Sequence, residues 1–135
     1  MNVEKATKKD LYFTNEHEWI DFKGTVAYIG VCAFKLTGFK AIHNLSFAEP
    51  SGFLKQGEVI ATISYGDYLV EVLMPIDGKL QQINEELITG NKNILLEHDE
   101  GSNWIALINP ALPYDRKGLL LPKEYRMNGK GKNAK

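Results

Sequence analysis

The apolar positions of this chain fall in short runs, and the clearest unit spans residues 58–74. There EVIATISY and YLVEVLM, rich in β-branched and aliphatic residues, are separated only by Gly66-Asp67 between Tyr65 and Tyr68. Strand formers on either side of a two-residue Gly-Asp loop predict a tight hairpin, because glycine readily takes the positive φ of a primed turn. A second hairpin is predicted from residues 19–22, a turn at Lys23-Gly24, and residues 25–29 running on to Gly30. Further strands are expected over residues 42–47, 79–83 and 104–108, the last as the closing strand.

Turn signals separate these runs. Pro50-Ser51-Gly52 turns the chain and a loop follows to Gly57; Pro75-Ile76-Asp77-Gly78 turns it again. Asn84 is placed to cap a short helix through Glu85-Glu86-Leu87, with both acids at its positive end. The segment 32–40 is ambiguous, since Gly38 weakens any helix. Pro110 and Pro113 break the pattern before a candidate C-terminal helical piece. Many short strands with close turns predict a small antiparallel β-barrel or sandwich with minor helices.

Composition narrows the class. A chain of 135 residues with 44% hydrophobic and 24% charged residues fits one soluble globular domain. Sixteen basic against seventeen acidic residues give a formal charge of -1, so no electrostatic case for nucleic acid or an anionic membrane follows. Cys32 is the only cysteine, which excludes an intramolecular disulfide and a four-cysteine zinc site. The polar start MNVEKATKKD has no secretory signal pattern and no apolar run is long enough to span a bilayer. The expectation is a cytoplasmic protein, monomeric or weakly oligomeric. Residues 1–10 read as a loose arm, residues 11–127 as a single domain, and residues 128–135 as a flexible basic tail.

Three features in order resemble the H protein of the glycine cleavage system. Tyr12-Phe13-Thr14-Asn15-Glu16-His17-Glu18-Trp19-Ile20 is similar to that family's opening Tyr-Thr-x-x-His-Glu-Trp, followed by a hairpin ending in Ile29-Gly30-Val31. Gly57-Glu58, a strand, a hairpin, a strand and Met74-Pro75-Ile76-Asp77-Gly78 resemble its Gly-Glu, modified hairpin and Ser-Pro-Val-Ser-Gly. Ile83-Asn84-Glu85-Glu86-Leu87 and Gly101-x-x-Trp104-Ile105 are similar to Val-Asn-Glu-x-Leu and Gly-x-Gly-Trp-Leu. The resemblance covers residues 12–108. It implies a mainly β fold, the flattened antiparallel two-sheet barrel-sandwich hybrid of lipoyl and biotinyl carrier domains, with short helices and a C-terminal extension.

In that family a hairpin lysine is amidated by lipoate, whose dithiolane takes an aminomethyl group from glycine decarboxylase and presents it to the aminomethyltransferase. Dihydrolipoyl dehydrogenase then reoxidises it. Such chemistry needs an exposed primary amine on a rigid tip. Counting back from Pro75, the family's Glu-Ser-Val-Lys-Ala falls on Ser64-Tyr65-Gly66-Asp67-Tyr68, so the lysine position is Asp67. A carboxylate cannot form the lipoyl amide, and no residue from Glu58 to Pro75 is a lysine. The resemblance therefore implies a lost lipoyl-lysine site and no bound cofactor, with lipoate expected only if another lysine is modified, Lys55 before Lys79.

The remaining chemistry-bearing residues read as structural. Asp67 alone at a tip reads as a turn former, and Tyr65 and Tyr68 as a cross-strand pair or a partner-docking patch. His17 reads as a packing or hydrogen-bonding residue, His43 as a lone strand histidine, and Glu97, His98, Asp99 and Glu100 as a charged turn. Cys32 reads as a buried or neutral thiol. No catalytic residues and no metal ligands are expected. The functional expectation is a non-catalytic binding or regulatory module of lipoyl or glycine metabolism, with glycine-cleavage or lipoate-metabolism enzymes as partners. The alternatives are a carrier modified elsewhere and an enzyme with an unrecognised pocket.

Overall fold

Alternating apolar residues build two antiparallel sheets that face each other across one core. The computed structural model describes residues 10–48, 52–96, 103–112 and 118–125. Its strands are β1 (Leu11–Phe13), β2 (Glu18–Lys23), β3 (Val26–Val31), β4 (Asn44–Phe47), β5 (Phe53–Leu54), β6 (Val59–Tyr65), β7 (Tyr68–Leu73), β8 (Gly78–Ile83) and β9 (Ala106–Pro110). Among the described residues one sheet has the order β1-β2-β3-β9-β8-β5 and the other β4-β6-β7. The mainly β, two-sheet architecture expected from the sequence is the one observed.

Ile20, Phe22, Ile29, Ile60, Ile63, Val72, Leu80 and Ile108 are buried between the sheets. Strand β2 is buried on both faces, however. Phe13, Trp19 and Cys32 form a second cluster, against which Leu120 and Tyr125 from the C-terminal segment pack. Phe13 and Leu120 exchange both backbone hydrogen bonds at 2.7 Å, so this segment is fastened to β1. Cys32 is buried there, in line with its sequence reading.

Two glycines are required by close approach. The indole of Trp19 covers Gly30, its cross-strand partner, and a Cβ on Gly30 would lie 2.2 Å from Trp19 Cε2. A Cβ on Gly78 would lie 2.8 Å from the Asn109 carbonyl oxygen, which is why the turn entering β8 ends in glycine.

Asn84 caps the helix α1 (Glu85–Thr89), accepting the Glu86 N–H at 3.0 Å, as its sequence context predicts. Several boundaries differ from expectation. The first hairpin turns at Gly24-Thr25, because Lys23 still pairs with Val26. Residues 53–54, expected as loop, form β5 by pairing with Gly78 and Lys79. The closing strand is Ala106–Pro110, shifted from residues 104–108, and Pro110 ends it instead of breaking it. Ala111 donates to the Asp77 carbonyl next to the Gly78↔Pro110 pair, so the Pro110 nitrogen faces away from β8 and no bond to that strand is lost. The ambiguous stretch after Cys32 forms a 3-10 turn, Ala33–Leu36. A helical turn at 122–125 matches the candidate C-terminal piece.

Asp10 was expected in the N-terminal arm, yet its N–H donates to Asp21 Oδ1 at 2.9 Å and its carbonyl accepts the Phe22 N–H. The rest of that arm, the turn 97–100 with His98, Pro113 and the tail 128–135 lie outside the described residues.

Candidate functional site

The β6–β7 hairpin projects the residues singled out from the sequence. Its strands pair from Val59↔Leu73 to Tyr65↔Tyr68, leaving Gly66-Asp67 as a two-residue tip. Gly66 has φ 58°, the left-handed value that this loop type demands and that glycine meets without strain. Asp67 is exposed at the tip, with no ion pair among the described residues. Ser64, Tyr65, Gly66, Asp67 and Tyr68 are thus contiguous in space as in sequence.

Tyr65 and Tyr68 do pair across the strands, with ring centroids 6.2 Å apart. Phe39 joins them, 5.9 Å from Tyr65 and 6.1 Å from Tyr68. His43 lies 4.8 Å from the Tyr65 ring, and its Nδ1 accepts the Gly66 N–H at 3.1 Å. The tip is therefore braced from the side by an aromatic wall. Tyr68 remains 57% exposed and Leu69 64%, so the hairpin presents apolar surface to solvent.

Sequence reasoning missed Phe39 and His43 as tip residues. Neither sits in a recognisable motif, and only the fold brings the segment after the 3-10 turn against the hairpin.

The base of the hairpin is anchored by Glu18, which is 1% exposed. Its Oε2 accepts the Leu73 N–H at 2.9 Å and pairs with Lys35 Nζ at 2.5 Å, while Oε1 accepts the Thr14 hydroxyl at 2.8 Å. A buried carboxylate with all three partners is satisfied rather than poised for acid–base work. His17, beside it, has φ 70° and its Nδ1 lies 2.7 Å from the Tyr125 hydroxyl. The packing and hydrogen-bonding role expected of His17 is the one it has.

The two alternative lysines lie off the hairpin. Lys55 is exposed in the turn before β6, where its carbonyl accepts the Glu58 N–H at 3.0 Å. Lys79 is exposed on β8 between Phe53 and Asn109. Among the described residues no three His, Cys, Asp or Glu side chains converge as a metal site. No helix among them is long and apolar enough to cross a membrane.

Residues 11–131 match the family model described as Glycine cleavage H-protein. The chain belongs to that family. It is 29% identical over 119 residues to the glycine cleavage system H protein of Alkaliphilus oremlandii (strain OhILAs), covering 88% of this chain and 92% of that one. It is 27% identical over 123 residues to the probable glycine cleavage system H protein of Aeropyrum pernix, covering 91% and 85%. The fold is similar to the crystal structure of a glycine cleavage system H protein from Mycobacterium marinum, with TM-score 0.75 and 17% identity over 90% of this chain and 97% of that chain.

H proteins normally carry lipoate on a lysine. The donor chemistry of this hairpin does not fit that group: residues 58–75 offer carboxylates, hydroxyls and phenols but no primary amine. No step through lipoate can be derived from these residues.

Proposed function

We propose that this H-protein family member is a non-catalytic binding or regulatory module that has lost the lipoyl attachment point, with Asp67 standing at the lysine position. It retains the carrier's shape without the carrier's amine. The observation that carries this reading is the exposed Gly66-Asp67 tip on an otherwise well-built hairpin, braced by His43, Tyr65, Tyr68 and Phe39. A scaffold degraded as a whole would not keep the tip turn, the Glu18 anchor and the Asn84 cap together.

The partners on this reading are enzymes of glycine cleavage or lipoate metabolism, recognised through the H-protein surface. The protein binds them and transfers nothing. The test is competition: the wild-type chain is titrated into a mixture of a lipoylated H protein and each glycine-cleavage enzyme or lipoate ligase. The reading expects displacement of the lipoylated protein from at least one of them without turnover of the added chain. Absence of binding to every one of these enzymes overturns it.

A further inference from the structure

The outer edge of β7 carries backbone hydrogen-bonding groups with no partner among the described residues, and the register of the hairpin shows which. The Ser64 carbonyl accepts the His43 N–H at 2.9 Å, so Ser64 directs its backbone groups toward β4 and away from β7. Its partner across the hairpin is Leu69. In an antiparallel pair, residues opposite each other share the same hydrogen-bonding sense, so Leu69 directs its N–H and C=O away from β6. The sense repeats every second residue, which adds Glu71 and then Leu73 to the outward set.

Leu73 confirms this parity. Its N–H leaves the sheet and is taken by the Glu18 carboxylate, a side chain acting in place of a neighbouring strand. The N–H groups of Leu69 and Glu71 have no acceptor among the described residues. Among the described residues β7 is the last strand of its sheet. Edges of this kind are usually blunted by lysine, proline or a bulge. Residues 68–73 contain neither lysine nor proline, and the register shift of the hairpin lies on the β6 side between Val59 and Ala61.

We propose that the edge of β7 from Leu69 to Glu71 docks an extended segment of a partner protein by strand addition, one alternating basic with aliphatic residues. Main-chain bonds to Leu69 and Glu71 supply the ladder, and the flanking side chains set the preference. On the outward face stand Leu69, 64% exposed, and Glu71, with Asp67 at the tip. The segment from residue 58 to 75 holds three charged positions in all, Glu58, Asp67 and Glu71, every one acidic and no base among them.

A lysine or arginine beside Glu71 compensates that charge, and its methylene stem covers Leu69. A second copy of this chain is the poorer occupant, because it brings more acids and no base to the same short ladder. This inference does not rest on the loss of lipoyl attachment, since Leu69 and Glu71 keep their outward sense whatever residue occupies the tip.

The test uses the full chain labelled with 15N, an alternating Lys-Val octapeptide, and its Glu-Val counterpart. Amide exchange is read at Leu69, Val70, Glu71 and Val72. In the free protein Leu69 and Glu71 should exchange fast while Val70 and Val72 are protected. The Lys-Val peptide should slow Leu69 and Glu71 by about tenfold or more, a protection range typical of a formed ladder.

Leu69→Pro removes one outward donor without touching a bond to β6 and should abolish the effect. Glu71→Lys, which leaves the ladder intact, should transfer the preference to the Glu-Val peptide. Unchanged exchange with the Lys-Val peptide overturns the proposal, as does equal protection by both peptides. Protection that grows with protein concentration alone also overturns it, by making a second copy the occupant.

Discussion

The Glu18 carboxylate accepts the Leu73 backbone N–H at 2.9 Å, joining β2 of one sheet to the end of β7 in the other. The same Oε2 pairs with Lys35, whose side chain is also largely buried. Removing the acid strands an ammonium and an amide N–H together. Glu18→Ala is expected to destabilise the fold by about 3 kcal/mol, the scale for breaking one half of a buried ion pair. Glu18→Gln keeps the volume and an acceptor and should lose roughly half of that. Urea unfolding midpoints of the three proteins check the order.

Gly30→Ala should be more damaging than its single methyl group suggests. The new Cβ would stand 2.2 Å from Trp19 Cε2, so the indole has to leave its seat on the strand. Overpacking of this kind is expected to lower stability by about 1–3 kcal/mol. Thermal unfolding measures the loss, and a shift in tryptophan emission reports the displaced ring.

Gly66 at the hairpin tip and Gly78 at the start of β8 are required for different reasons. A Cβ on Gly66 meets nothing within 4 Å, yet its φ is 58°, so Gly66→Ala should cost about 1 kcal/mol from conformation alone. Gly66→Asn should recover most of it, because asparagine tolerates this region. Gly78→Ala, by contrast, fails through contact with the Asn109 carbonyl. Chemical denaturation of the three variants distinguishes strain from clash.

Asn84 is the helix cap of α1, and it also donates from Nδ2 to the Trp104 carbonyl at 2.9 Å. Asn84→Asp keeps the cap and loses the donor; Asn84→Ala loses both. The expected cost of the cap alone is about 1 kcal/mol. Equilibrium unfolding of Asn84→Asp and Asn84→Ala should therefore place the aspartate variant between wild type and alanine.

Much of this was legible along the chain because it is written locally. The β6–β7 hairpin follows from β-branched runs around Gly66-Asp67, and the cap at Asn84 from two acids behind it. Tyr65 facing Tyr68 follows from the two-residue loop. What was not legible depends on distant chain segments meeting. β5 exists only because Phe53 and Leu54 find Lys79 and Gly78, and nothing in two residues announces a strand. His43 and Phe39 brace the tip from another segment, and Glu18 acquires its role only when Leu73 and Lys35 reach it. The double burial of β2 likewise needs Leu120 and Tyr125 from the end of the chain.

On the reading proposed here, this scaffold lacks the hairpin amine that carries lipoate in an H protein. Intact mass after co-expression with a lipoate ligase, followed by peptide mapping, tests it most directly. The wild-type chain should run at its unmodified mass, and Asp67→Lys combined with Ser64→Glu should gain one lipoyl group at residue 67. A lipoyl group on the wild-type chain, at Lys55, Lys79 or any other lysine, would contradict the account.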